Sequence, residues 1–130
     1  MEVGGKVELV MPSEPGAQYG WRFTDGAALS SLETSGTSNA PGVSFVASGS
    51  IATPTAAAVG YNVSNRTLVF TVAAHDLAQN TTYVFSITNV LTPSSTVGAA
   101  NVIATTFDAQ DRLVDRTSSM STEAIVAGAL

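Results

Sequence analysis

Three aspartates in the stretch FDAQDRLVD, at positions 108, 111 and 115, come closest to a metal site in this chain. Carboxylate oxygens are the ligands that Ca²⁺ prefers. The spacing does not match an EF-hand loop, which needs alternating ligands, a central glycine and a closing glutamate. A hairpin turn, with Asp108 and Asp111 accepting hydrogen bonds from nearby backbone N–H groups, accounts for the same residues. Asp108, Asp111 and Asp115 therefore stand as calcium candidates, a turn is favoured, and no cofactor is predicted.

The residues needed for nucleophilic catalysis are missing from the sequence. His75 is the one histidine, it lies in a polar break beside Asp76, and there is no cysteine. No serine lies in the G-x-S-x-G pattern that places a nucleophile on a strand-to-helix turn. Without a nucleophile–base pair or a cluster of metal ligands, the sequence predicts an exposed loop histidine and no enzyme.

Three sequons could carry N-linked sugar: Asn62-Val63-Ser64, Asn65-Arg66-Thr67 and Asn80-Thr81-Thr82. All three fall at predicted strand ends or turns, where a glycan can project without burying polar atoms. Asn62, Asn65 and Asn80 are therefore glycosylation candidates if the protein is made in a eukaryotic secretory pathway. Polar turn chemistry is the alternative interpretation.

The aromatic residues Tyr19, Trp21 and Phe23 alternate along a short predicted strand. Such a row could form a platform on which sugar rings stack. An inward-facing core cluster is favoured, because Trp21 and Phe23 share one face of the strand. A carbohydrate-binding module would need Trp21 or Tyr61 exposed on a flat face.

The strand pattern around residues 64–91 organises the rest of the chain. Leu68, Phe70 and Val72 fall on one face of TLVFTVA, and Tyr83, Phe85 and Ile87 fall on one face of TYVFSITNVL. A period of two with β-branched and aromatic residues indicates half-buried strands. The break HDLAQNT between the two runs predicts a strand–turn–strand pair at the centre of the fold.

Other alternating runs predict further strands of the same kind. Residues 6–11 form an edge-tolerant first strand, Val43, Phe45 and Ala47 face inward from a later one, and NVIATTF and RLVDRT flank the turn DAQD. We expect about eight short strands and no helix. This pattern predicts an all-β fold: a single two-sheet antiparallel β-sandwich, Ig-like or jelly-roll-like, over residues 1–118.

Residues 119–130 form a tail whose last part is apolar. They could be a linker or a strand donated to a neighbouring sheet. The candidate assembly residues are Ala124, Ile125, Val126 and Leu130.

Composition narrows the partners and the location. Of 130 residues only 12% are charged, 31 are Ser or Thr, and the net charge is −5 with five Lys and Arg. Too few basic residues are present to bind nucleic acid or an anionic membrane, and no apolar run approaches the ~20 residues of a membrane span. The first residues show no signal peptide, so a secreted form would be a processed or excised part of a longer protein.

The order of motifs resembles a recurrent β-sandwich repeat. The quoted pieces are GGKVELVMP, YGWRF, RTLVFTVA, TTYVFSITNVLTPSS and IATTFDAQDRLVD. They are similar to modules of large extracellular or surface proteins of algae and other protists, with looser relatives in bacterial surface proteins. Gln110-Asp111 stands where many such modules have Asp-Gly. The resemblance implies a spacer, adhesive or filament-forming module, as in flagellar hairs or cell-wall fibres, with no catalytic residues.

The leading hypothesis is therefore a non-catalytic structural module of an extracellular or cell-surface filament. Its partners would be copies of itself or neighbouring modules, and glycans. The sandwich edges carry few charges that would discourage pairing, with Lys6, Glu8 and residues 112–116 as candidate guards. The alternatives are a virion or phage decoration or fibre protein and a carbohydrate-binding module.

Overall fold

The computed structural model describes residues 1–13, 20–24, 38–39, 41–47, 49–78, 81–92 and 101–121. These residues form nine β-strands, all paired antiparallel, and no helix. The strands are β1 (Lys6–Val10), β2 (Arg22–Phe23), β3 (Gly42–Phe45), β4 (Thr55–Asn62), β5 (Thr67–Ala73), β6 (Phe85–Thr88), β7 (Val90–Leu91), β8 (Asn101–Phe107) and β9 (Leu113–Ser121). The predicted all-β sandwich is confirmed.

The main sheet has five strands in the order β4-β5-β1-β8-β9. Strand β1 pairs with β5 on one side and β8 on the other. The strand predicted over residues 6–11 is therefore central rather than at an edge, and the expectation that Lys6 and Glu8 guard an edge is wrong. The alternation of residue types correctly identified the buried face of β1, with Val7 and Leu9. It carries no information about which strands pair with β1.

The second layer consists of two short pairs, β3-β6 and β2-β7. Strands β5 and β6 do not pair with each other, which corrects the strand–turn–strand pair expected at the centre. Strands β5 and β6 each have one apolar face. They lie in different sheets, and their apolar faces are buried against each other. Phe70 of β5 meets Phe85 of β6 with ring centroids 5.2 Å apart.

The predicted strand over residues 82–91 is shorter than expected and interrupted. Residues 82–84 are not part of a strand, and Asn89 has a φ of 61°, which separates β6 from β7. This interruption raises the count from the expected eight strands to nine. Ala47, expected to face inward, lies beyond the end of β3 and is exposed.

The core lies between the two layers. Leu68, Phe70 and Val72 of β5 are 0% exposed, as their shared face predicted. Phe45 and Phe85 pack edge-on against Phe70 from the second layer. Burying each large apolar side chain stabilises the fold by roughly 1.5–3 kcal/mol, so β5 contributes more than any other strand.

Both edges of the main sheet are irregular. Strand β4 carries a bulge between Ala57 and Gly60, where Ala58 has a φ of 50°. Strand β9 shifts register twice against β8, and Val114 is the extra residue at one of these shifts. Bulges twist an edge and interrupt its hydrogen-bonding groups, which opposes pairing with a second flat sheet.

The chain enters and leaves the main sheet at opposite ends. Lys6, the first residue of β1, lies opposite Phe107, which in turn lies opposite Leu113 at the start of β9. Strand β9 then runs the full length of β8 and ends with Ser121 opposite Asn101. We call these the entry end and the exit end. The seven residues of β8 separate the two ends by roughly 20 Å at ~3.3 Å per residue step.

Candidate functional site

An apolar cleft lies between the two layers, beside strand β6. Strand β3 pairs with one edge of β6, and in the described part of the chain no strand pairs with its other edge. The cleft has a volume of about 400 Å³. It is lined by Leu9, Met11, Tyr83, Val84, Phe85, Ile87 and Val102. Strands β1 and β8 supply its floor, and residues 83–87 supply its wall.

The cleft is apolar where the structure describes it. The seven described residues that line it carry no charge. Val84 in the wall is 58% exposed, which is unusual for an aliphatic residue beside the core, whereas Val102 in the floor is buried. Among the described residues β6 pairs along one edge, and a strand edge beside an apolar floor offers backbone hydrogen bonds and pockets for side chains, the two requirements for adding a further strand.

The apolar surface continues around Val84 to a smaller groove at the entry end. This entry groove has a volume of about 160 Å³, and the described residues that line it carry no charge. The Val46 N–H donates to the Val84 carbonyl at 2.8 Å, and both side chains are exposed. Its lining residues are Val46, Ala47, Ile51, Ala52, Thr53, Pro54, Thr82, Tyr83 and Val84.

The three candidate calcium ligands lie in or near the hairpin between β8 and β9, and each has a different partner. Asp108 accepts hydrogen bonds from the Gln110 and Arg112 backbone N–H groups, both at 2.9 Å, and from Arg112 Nε at 2.7 Å. These bonds, led by the one from the Arg112 backbone, hold the pKa of Asp108 below its usual range. Asp108 therefore acts as the predicted turn residue.

The other two aspartates have separate partners. Asp111 forms an ion pair with Lys6 Nζ rather than the expected local backbone bonds, and Asp115 accepts from the Arg116 N–H at 2.7 Å. Among the described residues, no group of three or more histidine or carboxylate side chains converges on one point.

Two of the three sequons lie in the exposed turn that joins β4 to β5. Asn62 Oδ1 accepts from the Ser64 N–H at 2.9 Å and the Asn65 N–H at 3.4 Å. These bonds are the polar turn chemistry that was the alternative interpretation. They involve the Asn62 side-chain oxygen and not its amide nitrogen, the atom to which a sugar would be attached. Asn65 is also exposed. Asn80 lies outside the described residues.

The aromatic row is buried where the structure describes it. Trp21 is 8% exposed and Phe23 1%, which confirms the inward-facing interpretation; Tyr19 lies outside the described residues. Tyr61 packs edge-on against Phe23 at 4.8 Å and donates its hydroxyl to the Trp21 carbonyl at 2.8 Å. Burial raises the pKa of Tyr61 to about 12, against a smaller lowering by the Arg66 charge.

The remaining candidate residues are His75 and the four apolar residues of the tail. His75 is exposed, as predicted, and its backbone N–H donates to the Ala73 carbonyl at 2.8 Å. Ala124, Ile125, Val126 and Leu130 lie outside the described residues. Strand β9 runs to Ser121 and therefore passes the expected domain boundary at residue 118. The described residues contain no helix long and apolar enough to cross a bilayer.

No protein-family model, curated protein or solved structure gives a significant match to this chain. Its class is therefore defined by its own strands, as an antiparallel β-sandwich. The sequence did not reveal the cleft. The alternation over residues 83–88 identifies the buried face of β6, but whether the second edge of a strand is paired depends on the rest of the sheet.

Proposed function

We propose that this protein is a non-catalytic structural module of an extracellular or cell-surface filament, assembled through contacts with further modules. The observation that carries the proposal is the separation of the entry end from the exit end. A module of this kind transmits tension along its strands and links to the next module in line, whether the modules are consecutive in one chain or separate copies. The resemblance to surface repeat modules supports the same function.

The sheet edges favour end-to-end over side-by-side assembly. Both edge strands of the main sheet, β4 and β9, are bulged. A filament that grew by pairing these edges would have to straighten them, at the cost of the native register. Apolar surface lies in the cleft and the entry groove as well as at Leu113 and Val114 on β9.

The composition fits a packed assembly. With 12% charged residues and 31 Ser and Thr, little charge repulsion or desolvation opposes close contact between modules. Exposed Asn62 and Asn65 lie together in one turn, where N-linked sugar would coat the exit end. Glycosylation belongs to the proposal for a protein that passes through a secretory pathway.

The test of this function is the assembly state of the full chain. We expect filaments by negative-stain microscopy and a growing mass by light scattering as the concentration rises. Material from a eukaryotic secretory host should also carry added mass at Asn62 or Asn65. A dispersed monomer at high concentration would contradict the proposal, and a closed symmetric shell would favour the virion alternative.

The carbohydrate-binding alternative makes a different prediction about the one tryptophan. Trp21 is buried, so its emission should lie at shorter wavelength than that of tryptophan in water and should not respond to oligosaccharides. A concentration-dependent quench by a sugar would support the alternative. Denaturant should shift the emission to longer wavelength, which is the positive control.

A further inference from the structure

A second groove lies on the outer face of the main sheet, the face turned away from the second layer. Its volume is about 390 Å³, in the lower part of the ~300–1,000 Å³ range of sites for small ligands. The described residues that line it come from β1, β4, β5 and the turn between β4 and β5: Glu8, Ala58, Gly60, Tyr61, Asn62, Asn65, Thr67 and Val69. We call it the outer groove.

The irregular part of β4 opens this groove. Gly60 lies opposite Val69, whose side chain is on the outer face because its neighbours Leu68 and Phe70 are buried in the core. A Cβ placed on Gly60 would meet no atom within 4 Å. The missing side chain at Gly60 therefore leaves open space over the outer face of the sheet.

Asn62 lies beside this space. It is on the same face as Gly60, since residues two apart on a strand share a face, and two residue steps at ~3.3 Å place it roughly 7 Å away. Asn62 Oδ1 accepts from the Ser64 and Asn65 N–H groups. A glycosidic bond forms at the Asn62 amide nitrogen and leaves this oxygen as an acceptor, so a glycosylated Asn62 can keep both bonds. The turn thus holds the attachment point next to the groove.

The lining chemistry of the outer groove suits a sugar. Glu8 and Thr67 supply oxygen atoms that accept hydrogen bonds from sugar hydroxyls, and half-buried Val69 supplies an apolar surface for the C–H face of a sugar ring. An open groove of this size binds a free monosaccharide weakly. A sugar attached at its rim has a high effective concentration, so the same weak contacts suffice to hold it.

We infer that the outer groove holds the first N-acetylglucosamine of a glycan carried by Asn62. This inference rests on the secreted, glycosylated module proposed above and says where its sugar lies. The bound sugar stabilises the folded chain, because the unfolded chain has no groove to offer it. It also covers the outer face beside the edge strand β4, which keeps a neighbouring module from stacking there.

The test uses the full chain from a eukaryotic secretory host, with Asn65→Gln and Asn80→Gln so that Asn62 is in the one remaining sequon. The reference is the identical chain made in bacteria, which carries no glycan. We expect the glycosylated protein to melt about 2–6 °C higher. The shift should survive trimming of the glycan to a single N-acetylglucosamine. Ser64→Ala, which removes the sequon and keeps Asn62, should melt at the same temperature from both hosts.

Gly60→Val and Ala57→Val are the matched pair of variants. Gly60→Val places a side chain in the outer groove, whereas Ala57 is exposed on the same face of β4, opposite Thr71, and does not line the groove. The glycan should lose most of its effect on the Tm in Gly60→Val and keep it in Ala57→Val. Each variant is melted with and without the glycan, so a change in the stability of the fold itself cancels.

Nuclear Overhauser contacts between the first sugar and the Val69 methyl groups give a direct readout of position. The absence of a shift, a shift that Gly60→Val leaves unchanged, or a sugar without contact to Val69 would each overturn the inference, as would an Asn62 that the host leaves unmodified. Light scattering of the same samples reads the filament function separately. A sugar held in the groove of a dispersed monomer would contradict that function alone, and filaments with no sugar in the groove would contradict this inference alone.

Discussion

At the scale of single residues, Phe70 is the side chain on which both layers depend. It is fully buried and meets the rings of Phe45 and Phe85 at 5.9 and 5.2 Å. Phe70→Ala removes these contacts and leaves a cavity, so we expect it to lower the free energy of unfolding by about 3–5 kcal/mol. Since small domains are stable by ~5–15 kcal/mol, the loss should be visible as a large fall in the urea midpoint. Val69→Ala, on the opposite face of the same strand, should cost less than about half as much.

Tyr61 gives the fold a dependence on alkaline pH. The pKa of its hydroxyl is about 12 in the folded protein, against 10.0 for the ordinary group. A group whose folded pKa is raised stabilises the protein fully below its unfolded pKa and loses that contribution as the pH rises through the folded value. The unfolding free energy of the native chain should therefore fall between about pH 10 and 12.

The variant Tyr61→Phe isolates this effect. It keeps the ring contact with Phe23 and removes the hydroxyl that donates to the Trp21 carbonyl. At pH 8 we expect a loss of roughly 0.5–1.5 kcal/mol. In urea unfolding at pH 8, 10 and 11, the difference between the two proteins should shrink as the pH rises. A constant difference would show that the hydroxyl does not titrate with a raised pKa.

At the scale of elements, the kink at Asn89 divides one predicted strand into two. Its φ of 61° lies in the left-handed region, which asparagine tolerates and β-branched residues do not, and its carbonyl accepts from the Thr24 N–H at 2.9 Å. We expect Asn89→Val to lower the free energy of unfolding by about 1–2 kcal/mol. Asn89→Gly should be close to neutral. Thermal melts of both variants test this, and equal losses would show that the side chain rather than the backbone matters.

The same elements show how far sequence patterns reach. Alternation predicted the buried faces of β5 and β6 residue by residue, since a face is a local property of a strand. It could not predict that β1 is central or that β5 and β6 lie in different layers, because pairing depends on distant strands. Asn89 gave a local signal, as an asparagine inside an apolar run, and that signal would have predicted the break.

In the candidate site, too, local features were predictable from the sequence and features that depend on distant strands were not. The turn role of Asp108 and the burial of Trp21 follow from local spacing, and both were predicted. The cleft is lined by residues 83–87 together with Leu9, Met11 and Val102, which are distant in sequence, so no single run of residues encodes it.

At the scale of the whole molecule, the proposed filament should respond to salt as an assembly held by apolar contacts. The described residues that line the cleft and the entry groove carry no charge. Screening by salt weakens contacts between exposed charges, with a Debye length falling from ~30 Å at 0.01 M to ~3 Å at 1 M. Raising the ionic strength should therefore leave filaments intact, and sulfate should strengthen them by favouring apolar burial.

Sedimentation of the full chain at increasing NaCl concentration measures this directly. The concentration at which polymer first pellets should stay level or fall from 0.05 to 1 M salt, roughly the range over which the Debye length shrinks severalfold. Contacts through Arg112 and Arg116 at the β9 edge would give the opposite result, with polymer dissolving as salt rises. Because the chain carries a net charge of −5, a modest gain in assembly from reduced repulsion between copies is expected even without a specific ion effect. Salt thus separates a filament held by apolar surfaces from one held by edge charges.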